Sequence, residues 1–302
     1  MNNIQNPIIK LKEYLNQEDY KAIATLQTIC LDHDKTTLKL ELDYKLASSD
    51  EGVGAIGNIN EFMYFDGHDL VGYIGICSFG GSTLEVNGMV HPDYRRQGIF
   101  KKLYQLVIDE WTKRSIKSIL LLSDRNSVSG QAFIKTIETS YKHTEYEMYL
   151  HKNEKSSLAE IIVDDIIFRK ATNEDAKEVA RQNAIYFESD YDETDMIMPE
   201  EEEKRGMSIN IVENNDGIIG KVHLQLINGV GGIFGLGVLP EHRSIGYGRK
   251  ILLKAIETLE TMKAESIMLQ VAAQNSNALN LYKSCGFIET STMDYFELIA
   301  KK

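Results

Sequence analysis

Val90-His-Pro-Asp-Tyr-Arg-Arg-Gln-Gly-Ile-Phe100 returns, with Arg95 and Arg243 148 residues apart, as Val238-Leu-Pro-Glu-His-Arg-Ser-Ile-Gly-Tyr-Gly248. Both copies hold Val, Pro two residues on, an acid, an aromatic or imidazole ring, Arg, and Gly three residues beyond that Arg. A repeat spaced at nearly half of a 302-residue chain marks a duplicated domain. Each copy runs into a helical pattern, through Leu103, Val107 and Trp111 in the first and Ile251, Leu252, Ala255, Leu259 and Met262 in the second. Strand-like sequence precedes each. Residues 217–227 and 230–238 read as neighbouring strands joined by the hairpin dipeptide Asn228-Gly229, and residues 69–79, Gly80-Gly81 and 83–90 repeat that plan.

A strand that ends just before Arg-x-x-Gly-x-Gly, with a helix starting at the glycines, has a physical use. The helix N-terminus offers unpaired N–H groups and the positive end of its dipole, and glycine lets a pyrophosphate approach the backbone. Read alone, the string is equally the turn chemistry of any strand-to-helix link.

Further on, the strand Ser266-Ile-Met-Leu-Gln-Val271 leads to Asn275-Ser-Asn-Ala278-Leu-Asn-Leu-Tyr282-Lys-Ser-Cys-Gly286-Phe287, where Asn275 can cap a short helix and Gly286 can end it. Here the sequence resembles the GNAT acetyltransferase superfamily. Arg243-x-x-Gly246-x-Gly248 is similar to its pyrophosphate motif, and Asn275-x-x-Ala278-x-x-x-Tyr282-x-x-x-Gly286-Phe287 to its second signature. The resemblance implies a mixed α/β (α+β) fold in two tandem domains. Each would be a mixed, mostly antiparallel sheet flanked by helices and splayed open before the pyrophosphate helix, with acetyl-CoA in the gap. It implies a phosphate cradle of Arg243, Ser244, Ile245, Gly246 and Gly248, and backbone pairing of pantetheine around Leu236 to Val238. Asn275 would contact the pantetheine region and Tyr282 would sit near the sulfur. Tyr stays protonated at neutral pH, so Tyr282 is a chemically sensible acid for a departing thiolate. The competing reading of Tyr282 is a half-buried helix aromatic.

The first half follows the pattern less fully. Val90, Arg95 and Gly98 match the cradle, but Phe100 stands where the second glycine would, Ser127 falls opposite Asn275, and Ile134 falls opposite Tyr282. Glu85, ten residues before Arg95, matches Ile233 in the count and lies where some family members carry a carboxylate base. It is either that base or a solvent-facing strand residue. Tyr141 and Tyr146 cannot be placed by register.

Composition narrows the rest. A net charge of −12 gives no general field for phosphate backbones, which argues against nucleic acid and suits a cationic amine. No stretch approaches the roughly 20 apolar residues of a membrane span. Three scattered cysteines, Cys30, Cys77 and Cys285, fit neither a disulfide framework nor a metal knuckle, so a reducing cytoplasm is expected. The acids of 190–195 and 200–203 read as a solvated face or as an electrostatic collar for the acceptor. His223, on an apolar strand, reads as a core or edge residue, and Cys285 as packing. A break in the apolar period at 152–157 places the domains at 1–152 and 160–302. The expected activity is N-acetyl transfer from acetyl-CoA to a primary amine of a small, cationic acceptor, with Tyr282 as general acid. The second reading is a non-catalytic protein that responds to acyl-CoA.

Overall fold

The computed structural model describes residues 2–47, 57–78, 83–116, 118–151, 165–187 and 196–299. The chain divides into two compact units, Met1–Thr144 with Ser291–Lys302, and Glu145–Thr290. The boundary segment expected at 152–157 lies outside the described residues.

The first unit contains β1 (Pro7–Lys12), α1 (Gln17–Asp34), α2 (Leu42–Ala47), β2 (Glu61–Asp66), β3 (Asp69–Cys77), β4 (Thr83–Val90), α3 (Ile99–Trp111), β5 (Ser118–Asp124) and α4 (Val128–Ile134). Then β6 (Thr139–Leu150) leads into the second unit, with β7 (Ile167–Lys170), α5 (Ala176–Phe187), α6 (Pro199–Lys204), β8 (Met207–Asn214), β9 (Gly217–Ile227), β10 (Val230–Val238), α7 (Tyr247–Thr261), β11 (Ser266–Ala272) and α8 (Ser276–Ser284). The last strand, β12 (Phe287–Leu298), runs back into the first. The chain therefore crosses between units twice, inside β6 and inside β12.

Strand order in the first unit is β1-β2-β3-β4-β5-β12, and in the second β6-β11-β10-β9-β8-β7. Every pair is antiparallel except β4 with β5 and β10 with β11. The closing strand of each sheet comes from the other half of the sequence. Residues 293–297 of β12 pair with β5, and 145–149 of β6 pair with β11. Cutting the chain at 152 or 160 would thus separate each sheet from its last strand.

Helix placement follows the apolar spacing. Ile99, Leu103 and Val107 recur at four-residue steps and bury one face of α3 against Phe62, Tyr64, Ile74 and Ile76. The opposite face of that sheet, with Met63, Phe65 and Tyr73, packs on Ile23, Leu26 and Cys30 of α1. In the second unit Ile251, Leu252, Ala255 and Leu259 of α7 meet Val222, Leu224, Ile233 and Leu269, while Val179 of α5 meets Ile209 and Ile211 on the other face. Each fully buried Leu, Ile or Val stabilises the fold by about 1.5–3 kcal/mol in transfer terms. The β9–β10 hairpin turns at Asn228 and Gly229, with φ of +49° and +79° as a type I′ turn needs.

Both sheets split at the same place. β4 pairs with β5 only from Thr83–Ser118 to Val86–Leu121, although the strands run on to Val90 and Asp124. β10 pairs with β11 only from Val230–Ser266 to Ile233–Leu269, although they run on to Val238 and Ala272. The two splays differ in their far wall. β10 carries a bulge between Phe234 and Gly237, with Gly235 at φ +53°, whereas β3 and β4 pair in continuous register. The bulge also shifts the strand count. Glu85 lies opposite Leu120, and Met268, the counterpart of Leu120, lies opposite Gly232. Glu85 therefore corresponds to Gly232 in the sheet, not to Ile233.

Candidate active site

At the end of each splay the chain makes the same approach to a helix. A 3₁₀ turn, Pro92–Tyr94 or Pro240–His242, is followed by an extended arginine whose Nε donates to the last strand carbonyl: Arg95 to Val90 at 3.0 Å, Arg243 to Val238 at 2.9 Å. The next residue, Arg96 or Ser244, sits at φ +63° in both units. Gly98 (φ +78°) and Gly246 (φ +96°) then cap α3 and α7, and neither helix start receives a side-chain cap. The first-turn N–H groups are left for an anion.

A Cβ added at Gly98 or Gly246 would meet nothing within 4 Å, so these glycines answer to backbone conformation. At Gly248 a Cβ would come within 3.3 Å of Leu281 Cδ2, so this glycine lets α8 approach α7. In the first unit the same two positions are Phe100 and Phe133, packed edge to face at 4.6 Å. Phe100 thus turns onto α4. One helix–helix contact is exchanged for another.

A cleft of about 420 Å³ opens in the first splay, walled by Asn87–Val90, Leu121–Asp124, the Arg95–Lys101 cradle and α4. Asn87 is only 6% exposed; its Oδ1 accepts from Gly88 N at 2.7 Å, while its Nδ2 has no hydrogen-bond partner among the described residues. A buried donor without a partner costs about 1–3 kcal/mol, so it is a place for a ligand carbonyl. Arg95 is already held by Asp34 in a bidentate pair at 2.8 and 2.7 Å, which keeps the Asp34 carboxyl below its usual range. Arg243 makes no ion pair among the described residues. The Cys30 thiol beside this cleft is pushed up to about 11 by burial, a poor nucleophile.

Glu85 does not line that cleft. It lies 3.4 Å from Lys39, whose Nζ donates to Tyr295 Oη at 2.8 Å, and the His143 ring stacks on Tyr295 at 4.2 Å. The candidate base is thus ion-paired, and Tyr295 joins it from the far end of the chain. Tyr141 meets Thr144 at 2.7 Å, and Tyr146 packs in the second unit opposite Val271.

In the second unit Leu236 and Val238 sit half-buried on the core beside the splay, and Ile245 is exposed at the mouth of the cradle. Asn275 Oδ1 accepts from Ala278 N at 3.1 Å and caps α8, as Ser127 caps α4 in the first unit. Tyr282 is 7% exposed, with its ring centroid 6.2 Å from that of Phe287, and burial pushes its hydroxyl up to about 12. Cys285 is fully packed in the same core. Glu200 to Glu203 are engaged locally, by Asn173, Lys204, Arg205 and Lys170, as a solvated face would be; residues 190–195 lie outside the described set.

Beneath the bulge lies a buried pair, His223, expected as a core or edge residue, and Lys221, which the sequence did not single out. Lys221 is 0% exposed; its Nζ is 3.0 Å from His223 Nε2, 3.3 Å from Gly235 O and 5.5 Å from the Tyr186 ring. Burial lowers the Lys221 ammonium to about 7 and holds His223 well below its ordinary value. Tyr186 is locked by its hydroxyl donating to Gln182 at 2.8 Å, and Gln182 in turn donates to Glu178. Lys221, His223 and Gln225 alternate with Val222 and Leu224 along β9, and Tyr186 of α5 packs over Lys221.

The profile of the acetyltransferase (GNAT) family matches residues 20–135 and 173–287. The chain is 33% identical over 75 residues to a spermidine N(1)-acetyltransferase of Vibrio cholerae, covering 24% of this chain and 43% of that protein. It is 33% identical over 67 residues to an N-alpha-acetyltransferase of Sulfurisphaera tokodaii, covering 22% and 40%. The chain thus spans less than half the length of these curated relatives. Its fold is similar to that of a tandem GNAT protein from the clavulanic acid biosynthesis pathway, with a TM-score of 0.71, 14% identity, and coverage of 98% and 99%.

Proposed function

This chain belongs to the acetyltransferase (GNAT) family, and from that membership we propose that it transfers an acetyl group from acetyl-CoA to a primary amine of a small, cationic acceptor, with the second unit as the catalytic one. The observation that carries this reading is the splay that ends in a glycine-capped helix start, present in both units. Acetyl-CoA supplies the activated thioester. The chain supplies the rest. Amides at 244–248 and the Arg243 guanidinium, which makes no ion pair among the described residues, receive the pyrophosphate, and the free strand edge at Leu236–Val238 pairs with the pantetheine amides. The bulge leaves Gly235 and Leu236 without register partners on β9, so their backbone can serve the carbonyl oxygen as its charge grows.

Tyr282 donates to the departing sulfur. With its hydroxyl near 12 and a thiol near 8.5, full transfer to a free thiolate is uphill by roughly 5 kcal/mol. Its contribution is therefore a hydrogen bond that strengthens as sulfur charge develops. Asn275 acts by holding the start of α8, which carries Tyr282. In the first unit Val90, Arg95, Gly98 and the orphaned Asn87 amide suit a second acyl-CoA, and Glu85, neutralised by Lys39, is a positioning carboxylate there.

The acceptor class draws on the −12 net charge and on the spermidine named for the Vibrio relative. Thiol release from acetyl-CoA over a panel of amines, spermidine among them, with calorimetric titration of CoA, tests the proposal. CoA binding with no amine-dependent thiol release would leave only the acyl-CoA-responsive reading.

A further inference from the structure

A lysine placed wholly out of water is costly unless something uses it, because burial penalises its charged form and a neutral amine forfeits hydration. Lys221 has no carboxylate partner among the described residues. The facing groups are His223 on its own strand, Tyr186, Gln182, Glu178 and Arg181 on α5, and Arg243 beyond β10; β8 presents Ile209 and Ile211. Glu178 is already engaged by Arg181 and Gln182. A neutral lysine amine has two N–H bonds and one lone pair. With His223 in its Nδ1–H tautomer, the two bonds have two acceptors, His223 Nε2 and Gly235 O, which leaves the lone pair.

Its location gives that lone pair a task. Lys221 Nζ and the His223 ring lie 3.3 and 3.6 Å from where a Cβ at Gly235 would be, against one of the two residues of β10 that the bulge frees, on the strand next to the one that borders the second splay. Building on the proposed transferase reading, we propose that Lys221 is the general base that takes a proton from the acceptor ammonium, with His223 as the positioning residue that orients its amine. The protons balance. Of the three on the ammonium, one stays on the amide nitrogen, one passes to Lys221 and is later released, and one leaves the nitrogen once the C–N bond has formed and ends on the CoA sulfur as the C–S bond breaks, the thiolate being held meanwhile by the Tyr282 hydrogen bond.

The test is Lys221→Met in the full chain, a change that removes a buried polar group and keeps the stem. Ethylamine and spermidine are compared with trifluoroethylamine, which is already neutral at the assay pH. The expected result is a loss of about 10²- to 10⁴-fold in kcat/KM for the two ammonium acceptors, with the acid limb near pH 7 abolished. Trifluoroethylamine should lose much less, and CoA affinity by calorimetry should not change. Equal losses for neutral and charged acceptors, or an unchanged rate with the limb intact, would overturn the base. No thiol release by the wild-type chain with any amine would instead sink the transferase reading and this inference with it.

Discussion

Tyr282 packs its ring beside Phe287, so Tyr282→Phe should leave the core and the melting temperature nearly unchanged. Its kcat should fall by about 10²-fold, the low end for a general acid, because the buried hydroxyl gives a hydrogen bond more readily than a whole proton. A Phe variant at wild-type kcat, with chemistry limiting, would move the acid elsewhere. Lys221 makes a separate prediction about stability. Its folded pKa near 7 lies below the unfolded value of about 10.4, so between them the unfolded chain binds one more proton. Stability contributed through this group is therefore lowest below pH 7 and rises by about 1.4 kcal/mol per pH unit as the penalty lifts. Urea midpoints at pH 7 and 9 should show that slope in the wild type and lose it in Lys221→Met. The motif residues were legible because their roles are local: Gly246 must reach φ +96°, and Asn275 caps the helix that follows it. Lys221, Asn87 and Tyr295 were not, because burial by α5, a splay between strands and the pairing of Tyr295 with Leu122, 173 positions away, are long-range facts.

Among the elements, the bulge in β10 and the α7–α8 contact differ most from their counterparts. The bulge moved Glu85 out of match with Ile233, which no count along one strand could reveal. The helix contact yields a paired expectation. Gly246→Ala should cost about 1–3 kcal/mol through backbone strain at positive φ, although nothing clashes. Gly248→Phe should cost a similar amount by overpacking against Leu281, and Leu281→Ala in the same chain should recover part of it, as the first unit solves the same crossing with two aromatics. Denaturant midpoints of the single and double variants check both. Additive losses would mean that the two side chains do not compete for one space.

For the whole molecule, duplication was readable from the repeat, as were the mixed sheets that follow from it. The exchange of closing strands was not, since β6 and β12 have similar pattern and length and either could have finished either sheet. Ending the chain after Thr290 should unfold the first unit. It would strip β5 of its partner and remove Asp294, which receives Arg125 at 2.7 Å and Thr144 at 2.6 Å. The second unit, which keeps 145–149, should still melt cooperatively. A fragment of 160–302 should fare worse than that truncation, because β11 would lack β6; circular dichroism melts of the two shortened chains distinguish these outcomes.

On the ribosome the exchange sets a schedule. β5 ends at Asp124, yet its neighbour begins to pair only at Met293, so at roughly 5–20 residues per second the nascent first unit waits roughly ten to thirty seconds with an open sheet edge. During that interval its β5 edge can recruit whatever strand comes by, including β6, which emerges next and belongs to the other sheet. Slowing translation over the second half should therefore raise the share of misassembled chains, and chaperones that shield strand edges should matter more for this protein than for a tandem whose halves close on their own strands.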